Sequence, residues 1–154
     1  KYLLCSVDFS ALPHYVTSEI TPLYIQSDVD GEISRLRRRG VSGAYTYYHT
    51  KKREIRSGVR VETERLITRH EYEHLATLQI PNTEVIEKLR HCFVYKDQYL
   101  ELDVFQKPSK YERLILLEIE LTEEHDAIEL PPWVDIAEDV TESNEYANFV
   151  LAKG

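Results

Sequence analysis

The stretch EISRLRRRG, residues 32–40, places four arginines in five positions of a chain whose formal net charge is −8. Read as a strand, whose side chains alternate between two faces, it sets Arg35 and Arg37 on one face and Leu36 on the other. Arg38 and Arg39 cannot both lie on one face, so they are assigned to a strand end or the surface. The question it raises is what Arg35 and Arg37 face.

The same period of two recurs along the chain. RVETER, residues 60–65, groups Arg60, Glu62 and Glu64 against Val61 and Thr63. KLRHCF puts Lys88 and Arg90 opposite Leu89 and Phe93, LELDVF puts Glu101 and Asp103 opposite Leu100, Leu102 and Val104, and LLEIEL puts Glu118 and Glu120 opposite Leu117, Ile119 and Leu121. One face of every strand is apolar and the other is charged. The charges are also sorted by strand into Arg-x-Arg, Arg-x-Glu-x-Glu, Lys-x-Arg, Glu-x-Asp and Glu-x-Glu. A solvated one-sided sheet gives alternation, but it gives no reason for such sorting. A closed barrel with its charged face inward does.

Strands are expected over 1–7, 20–27, 32–39, 44–53, 59–66, 85–96, 98–105 and 114–121, separated by the turn signals DVDG, GVSG, RSG and KPSK. Thr68 and Glu71 form a Thr-x-x-Glu capping box ahead of Tyr72, Leu75 and Ala76, which predicts a helix running to about Gln79. After LPPW at 130–133 the chain is expected to close with a short helix whose Tyr146, Phe149 and Val150 cover one end of the sheet, with Trp133 packed over a tunnel end.

The length of 154 residues fits one domain, and 42% hydrophobic residues with eleven tyrosines fit a folded core. No run approaches a membrane span and no signal peptide is evident, so a cytoplasmic protein is expected. Cys5 and Cys92 carry no metal or disulfide spacing and read as buried thiols. Residues 1–60 hold ten Lys/Arg against six Asp/Glu, and residues 61–154 hold nine against twenty-one. DNA binding is not expected, because the basic residues do not dominate the domain; the two blocks must instead meet in space. Carboxylates suit Mg²⁺ or Mn²⁺ and arginine forks suit phosphate oxygens, so a cavity holding both fits a metal–polyphosphate complex.

HEYEH, residues 70–74, matches the zinc-protease pattern on the expected helix. Glu73 between the two ends of the motif and Arg69 before it mark a solvated helix face instead, and no third ligand follows. His14, His49, His91 and His125 have no metal-like spacing and read as structural.

In order and spacing, KYLL, RLRRRG, YYHTKKR, RVETER, KLR, YLELDVF, LILLEIEL, LPPWV and VTESNEYANFVLA resemble a CYTH domain, the fold of the triphosphate tunnel metalloenzymes. The resemblance implies a mainly β fold, an eight-stranded antiparallel tunnel-like barrel open at both ends, with peripheral helices. It covers residues 1–154 as a single domain, read as an excised or N-terminally truncated part of a longer chain. It implies Lys1, Arg35, Arg37, Lys52 and Arg90 as phosphate ligands, with Arg60 and Lys88 added, and Glu62, Glu64, Asp103, Glu118 and Glu120 as metal carboxylates, with Glu101 beside them. Glu62, Glu118 and Glu120 take the catalytic role. Lys1 aligns with the lysine that closes the family's Glu-x-Glu-x-Lys signature. The implied activity is metal-dependent hydrolysis of a triphosphate; the alternatives are a phosphorylated-ligand binding module, as in CYTH domains fused behind a P-loop NTPase, or a CYTH-type adenylyl cyclase.

Overall fold

In the computed structural model, residues 1–56, 59–121 and 126–154 are described, with only the backbone of residues 59 and 60. The period-two segments become β1 (Tyr2–Val7), β2 (Tyr15–Ile25), β3 (Glu32–Val41), β4 (Ala44–Arg56), β5 (Val59–Ile67), β6 (Glu87–Tyr95), β7 (Gln98–Lys107), β8 (Ile115–Glu120) and β9 (Val134–Asp139). The helices are α1 (Arg69–Ala76) and α2 (Asn148–Lys153). No helix among the described residues is long and apolar enough to cross a membrane. The RSG turn signal falls partly on residues 57–58, and it and His125 lie outside the described residues.

Tight turns set the registers. Val41 pairs with Ala44 across Ser42 and Gly43, both at positive φ, and Tyr95 pairs with Gln98 across Lys96 and Asp97, also at positive φ. Two-residue loops of this kind match the twist of the flanking strands and hold them antiparallel.

The strands form one antiparallel sheet in the order β5-β4-β3-β2-β6-β7-β8-β1-β9. This corrects the expected eight-stranded closed barrel: there are nine strands, and the edges β5 and β9 are not paired with each other among the described residues. The reason lies in β1, which pairs with β8 on one side and with the unexpected β9 on the other, leaving no edge to close on β5. The sheet still curls, so that β3–β5 face β6–β8 across a shared cavity. β2 starts at Tyr15, before the expected residue 20, because its first half pairs with β6 while its second half pairs with β3.

The outer face holds two apolar clusters. Leu23, Ile25, Leu36 and Ile67 are covered by Tyr72, Leu75 and Ala76 of α1, whose first turn is closed by the reciprocal Thr68–Glu71 capping box. Tyr2, Leu4, Phe93, Leu100, Leu102 and Leu117 form the second, covered by Trp133, Val134 and Ile136. Trp133 thus packs on the outer face, edge-on to Tyr95, and not over a tunnel end. A third cluster lies inside one end of the curl, where Tyr24, Phe105 and Leu116 meet Leu151 and Ala152 of α2, with Tyr146 and Phe149 packed against them. Val150, expected in that packing, is exposed. α2 therefore fills one side of the end expected to be open. Cys5 is exposed and only Cys92 is buried, which corrects the reading of both as buried thiols; both are free thiols.

Candidate functional site

The inner-facing residues of seven strands and Lys1 converge on a cavity of about 660 Å³. Its cationic lining is Lys1, Arg35, Arg37, Lys52, Lys88 and Arg90, and its acidic lining includes Glu62, Glu101, Glu118 and Glu120. Strand register explains the convergence. Arg35 and Arg37 of β3 stand opposite Thr50 and Tyr48 of β4, Thr50 and Lys52 opposite Glu64 and Glu62 of β5, and Arg90 of β6 opposite Asp103 of β7. The basic first part and acidic second part of the chain meet here.

On the β3–β5 wall, Arg37 Nη2 donates to both oxygens of Glu64, at 2.9 and 3.0 Å. Thr50 donates to Glu64 at 2.6 Å and accepts from Arg35 Nη2 at 3.3 Å. Lys52 Nζ lies 3.1 Å from Glu62, and Arg35 Nη2 lies 3.9 Å from Glu62 and 3.8 Å from Glu64. The Nε groups of Arg35 and Arg37 are buried and have no hydrogen-bond partner. Burial pulls the Arg37 guanidinium below its ordinary value against the pull of Glu64, and Arg35, Arg90 and Arg39 push it further down. On this wall Arg35, Arg37 and Lys52 meet three carboxylates, Glu54, Glu62 and Glu64.

On the opposite wall, Arg90 donates to Asp103 from Nε and Nη2, both at 2.7 Å, to Glu118 at 3.2 Å, and to Glu101. Burial opposes its charge, yet these three carboxylates raise it well above the usual arginine value. Lys88 is 4% exposed and binds Asp103, which is 1% exposed, and Asn148 of α2 at 3.2 Å. Burial opposes the Asp103 charge too, but Lys88 and Arg90 together hold its carboxyl below the usual range. Lys88 is lowered by its own burial, since it shares that one carboxylate with Arg90. Lys1 Nζ lies 2.7 Å from Glu118, and although burial opposes this carboxylate, Lys1 holds its pKa low. Glu101 moves the other way: burial raises it, and Asp103, Glu118 and Glu120 repel its charge.

The expected site residues thus take three positions. Lys1, Arg35, Arg37, Lys52, Lys88, Arg90, Glu62, Glu118 and Glu120 line the cavity. Glu64 and Asp103 stand behind the arginines they bind. Arg60 is opposite Glu54 by backbone register, but its side chain lies outside the described residues. His70 and His74 are exposed on α1, outside the sheet. His49 and His91 are buried and hydrogen-bonded to Ser34 and Thr17, each at 2.8 Å. Sequence reasoning missed Thr50 and Asn148, which line the cavity, and assigned Arg39 to a strand end or the surface. The first two carry no signal in the sequence, but Arg39 is in phase with Arg35 and Arg37.

Hard carboxylate oxygens are donors of the kind that Mg²⁺ or Mn²⁺ takes. Glu101 has Asp103, Glu118 and Glu120 near it, and its present cation is Arg90. Among the described residues, however, no three His, Cys, Asp or Glu side chains already form a cage. The donors fit the metal in kind, while their present partners are lysine and arginine.

No family model and no curated protein matches the sequence. Two crystal structures of NE1496 do match, one described as a hypothetical protein and the other as an inorganic triphosphatase. Each is 28% identical over 99% of this chain, covers 95% or 91% of its own chain, and superposes with a TM-score of 0.67. In fold and sequence the chain resembles the CYTH superfamily. PH1819 from Pyrococcus horikoshii OT3 shares the fold, at 20% identity and a TM-score of 0.50 over 73% of this chain and 68% of its own. The charged rows that carried the sequence reading are the rows lining the cavity.

Proposed function

We propose that this protein hydrolyses the terminal phosphoanhydride of a triphosphate in its charged channel, with Mg²⁺ or Mn²⁺ as cofactor. One observation carries the reading: the buried, unpartnered Nε–H groups of Arg35 and Arg37. Buried donors are nearly always paired, and a phosphate oxygen is the acceptor that matches an arginine fork. The likeness to NE1496, described as an inorganic triphosphatase, supports it.

In this reading Arg35, Arg37 and Lys52 grip the phosphates from one wall, and Lys1, Lys88 and Arg90 from the other. Their fixed positive charges stabilise the negative charge spread over the equatorial oxygens as the bridging P–O bond breaks. Glu62, Glu64, Asp103, Glu118 and Glu120 would hold the metal, with Glu101 beside them; when bound, it neutralises phosphate charge and acidifies water. Glu62, Glu118 and Glu120 orient the attacking water by accepting its hydrogen bonds. The oxygen of that water would join the terminal phosphorus as one of these carboxylates takes its proton, and the diphosphate would leave with the bridging oxygen and its electron pair.

A second reading, a phosphate-binding module such as those fused to a P-loop NTPase, is favoured by the pairing of Glu118 with Lys1 and Arg90 and of Glu62 with Lys52. Incubation with tripolyphosphate, ATP or thiamine triphosphate, in Mg²⁺, Mn²⁺ or chelator, separates the two. Metal-dependent phosphate release that disappears in Glu118→Gln supports hydrolysis. Tight binding without product supports the module, and cyclic nucleotide with pyrophosphate marks a cyclase.

A further inference from the structure

Arg39 continues the row of Arg35 and Arg37 along β3. The register carries this row past β4 without a shift, Arg35 facing Thr50, Arg37 facing Tyr48 and Arg39 facing Thr46. Each step is one strand repeat, about 7 Å. Arg39 is half-buried beside a shallow hollow of about 450 Å³ that it shares with Ser18, Thr46 and Tyr48. Ser18 is on the cavity-facing row of β2, and Tyr48 on that of β4, so the hollow lies on the lip of the same channel, away from α2.

Arg39 differs from the other cations of the channel in one respect. Lys1, Arg35, Arg37, Lys52, Lys88 and Arg90 each have a carboxylate within 4.0 Å. Among the described residues Arg39 has none, and Arg37 lies close enough to feel its charge. A half-buried guanidinium next to another, without a carboxylate, is an electrostatic cost that an anion removes. The row places that anion farther along β3 than the phosphates gripped by Arg35 and Arg37, where the long arginine side chain can reach toward them.

We infer that Arg39 binds an additional phosphate of the ligand, so that the channel accepts linear phosphate chains longer than three units and grips them more tightly than a triphosphate. The inference rests on the phosphate-binding reading of the channel and deepens it. Arg39 is then a length-determining residue, while Arg35 and Arg37 grip the shared part of every ligand.

The test is calorimetric binding of linear tripolyphosphate, linear tetrapolyphosphate and ATP to the native protein and to Arg39→Gln, in chelator so that nothing turns over. The native protein is expected to bind tetrapolyphosphate about tenfold more tightly than tripolyphosphate, the size of one charge-assisted contact. In Arg39→Gln that ratio falls to about one, and Arg39→Lys restores part of it. Arg37→Gln weakens both ligands together and leaves the ratio intact. An unchanged ratio in Arg39→Gln overturns the role of Arg39 while leaving the channel reading in place. A preference for ATP over tetrapolyphosphate that Arg39→Gln removes also overturns it, assigning the lip to an organic group. Failure of every ligand to bind the native protein overturns both readings.

Discussion

Arg37 and Glu64 are joined by two hydrogen bonds from a single guanidinium nitrogen, at 2.9 and 3.0 Å, with Glu64 32% exposed. Glu64 holds Nη2 while Nε of the same guanidinium has no partner, so Glu64 neutralises the charge that the proposed phosphate contact would use. Replacing it by Gln leaves the shape and removes the competing charge. Glu64→Gln is therefore expected to bind tripolyphosphate about three- to tenfold more tightly in chelator. In Mg²⁺ it is expected to lose turnover if Glu64 holds the metal as proposed. Calorimetry and phosphate release measure the two effects, and weaker binding in chelator would mean that Glu64 orients Arg37 instead of competing for it.

The inner rows were legible in the sequence because each depends on local alternation. LLEIEL reads the same as a string and as β8, and Thr68 with Glu71 reads as the cap that the structure forms. What stayed hidden depends on partners distant in the chain. β9 carries Asp135, Glu138 and Asp139 on a solvent-facing edge, which makes VDIAED look like a loop until β1 pairs with it. Leu151 and Ala152, not Val150, turn toward the core because the facing Phe105 and Leu116 decide which side of α2 is buried. Arg39 follows from period two alone, but assigning it to a strand end conceals that β3 continues to Val41.

Asp103 anchors the second wall, being almost wholly buried between Lys88 and Arg90. Asp103→Ala strands an ammonium and part of a guanidinium in the interior, and a loss of about 3–5 kcal/mol is expected from breaking a buried pair. The double variant Lys88→Met with Asp103→Leu removes both charges and is expected to recover much of that loss. Urea unfolding gives the values. A single variant as stable as the native protein would mean that water enters the pair freely.

His49 and His91 supply a pH dependence. Burial lowers both below the ordinary histidine value; Lys51 and Arg65 add to this at His49, while Asp103 opposes it at His91. Between their folded values and about 6.5 the unfolded chain binds protons that the folded chain refuses, so stability rises with pH through that window. It is lost as pH falls from about 6.5. Asp103 and Glu118, also lowered, lose their contribution only at more acidic pH, below the usual carboxylate range. Melting temperatures are expected to drop between pH 7.5 and 5.5 in the native protein, and to drop less when His49→Gln and His91→Gln are combined. An equal drop in both would place the titrating group elsewhere.

Gly40 stands where β3 reaches the lip of the channel, paired with Tyr45 beside the Ser42–Gly43 turn. A Cβ on Gly40 would fall 1.9 Å from the carbonyl oxygen of Ala44, which is backbone and cannot rotate away. The hairpin must open to admit a methyl group there, so Gly40→Ala is expected to cost about 2 kcal/mol or more. Gly43, at φ 89°, has open space around its own Cβ position, and Gly43→Ala is expected to cost only about 1 kcal/mol of backbone strain. Urea unfolding of the two variants tests this order. Because Arg39 precedes Gly40, the same opening shifts the guanidinium at the lip, so Gly40→Ala should also reduce the preference for tetrapolyphosphate over tripolyphosphate. Equal stability of the two variants would show that the end of the hairpin yields without disturbing the register on which the Arg35, Arg37 and Arg39 row depends.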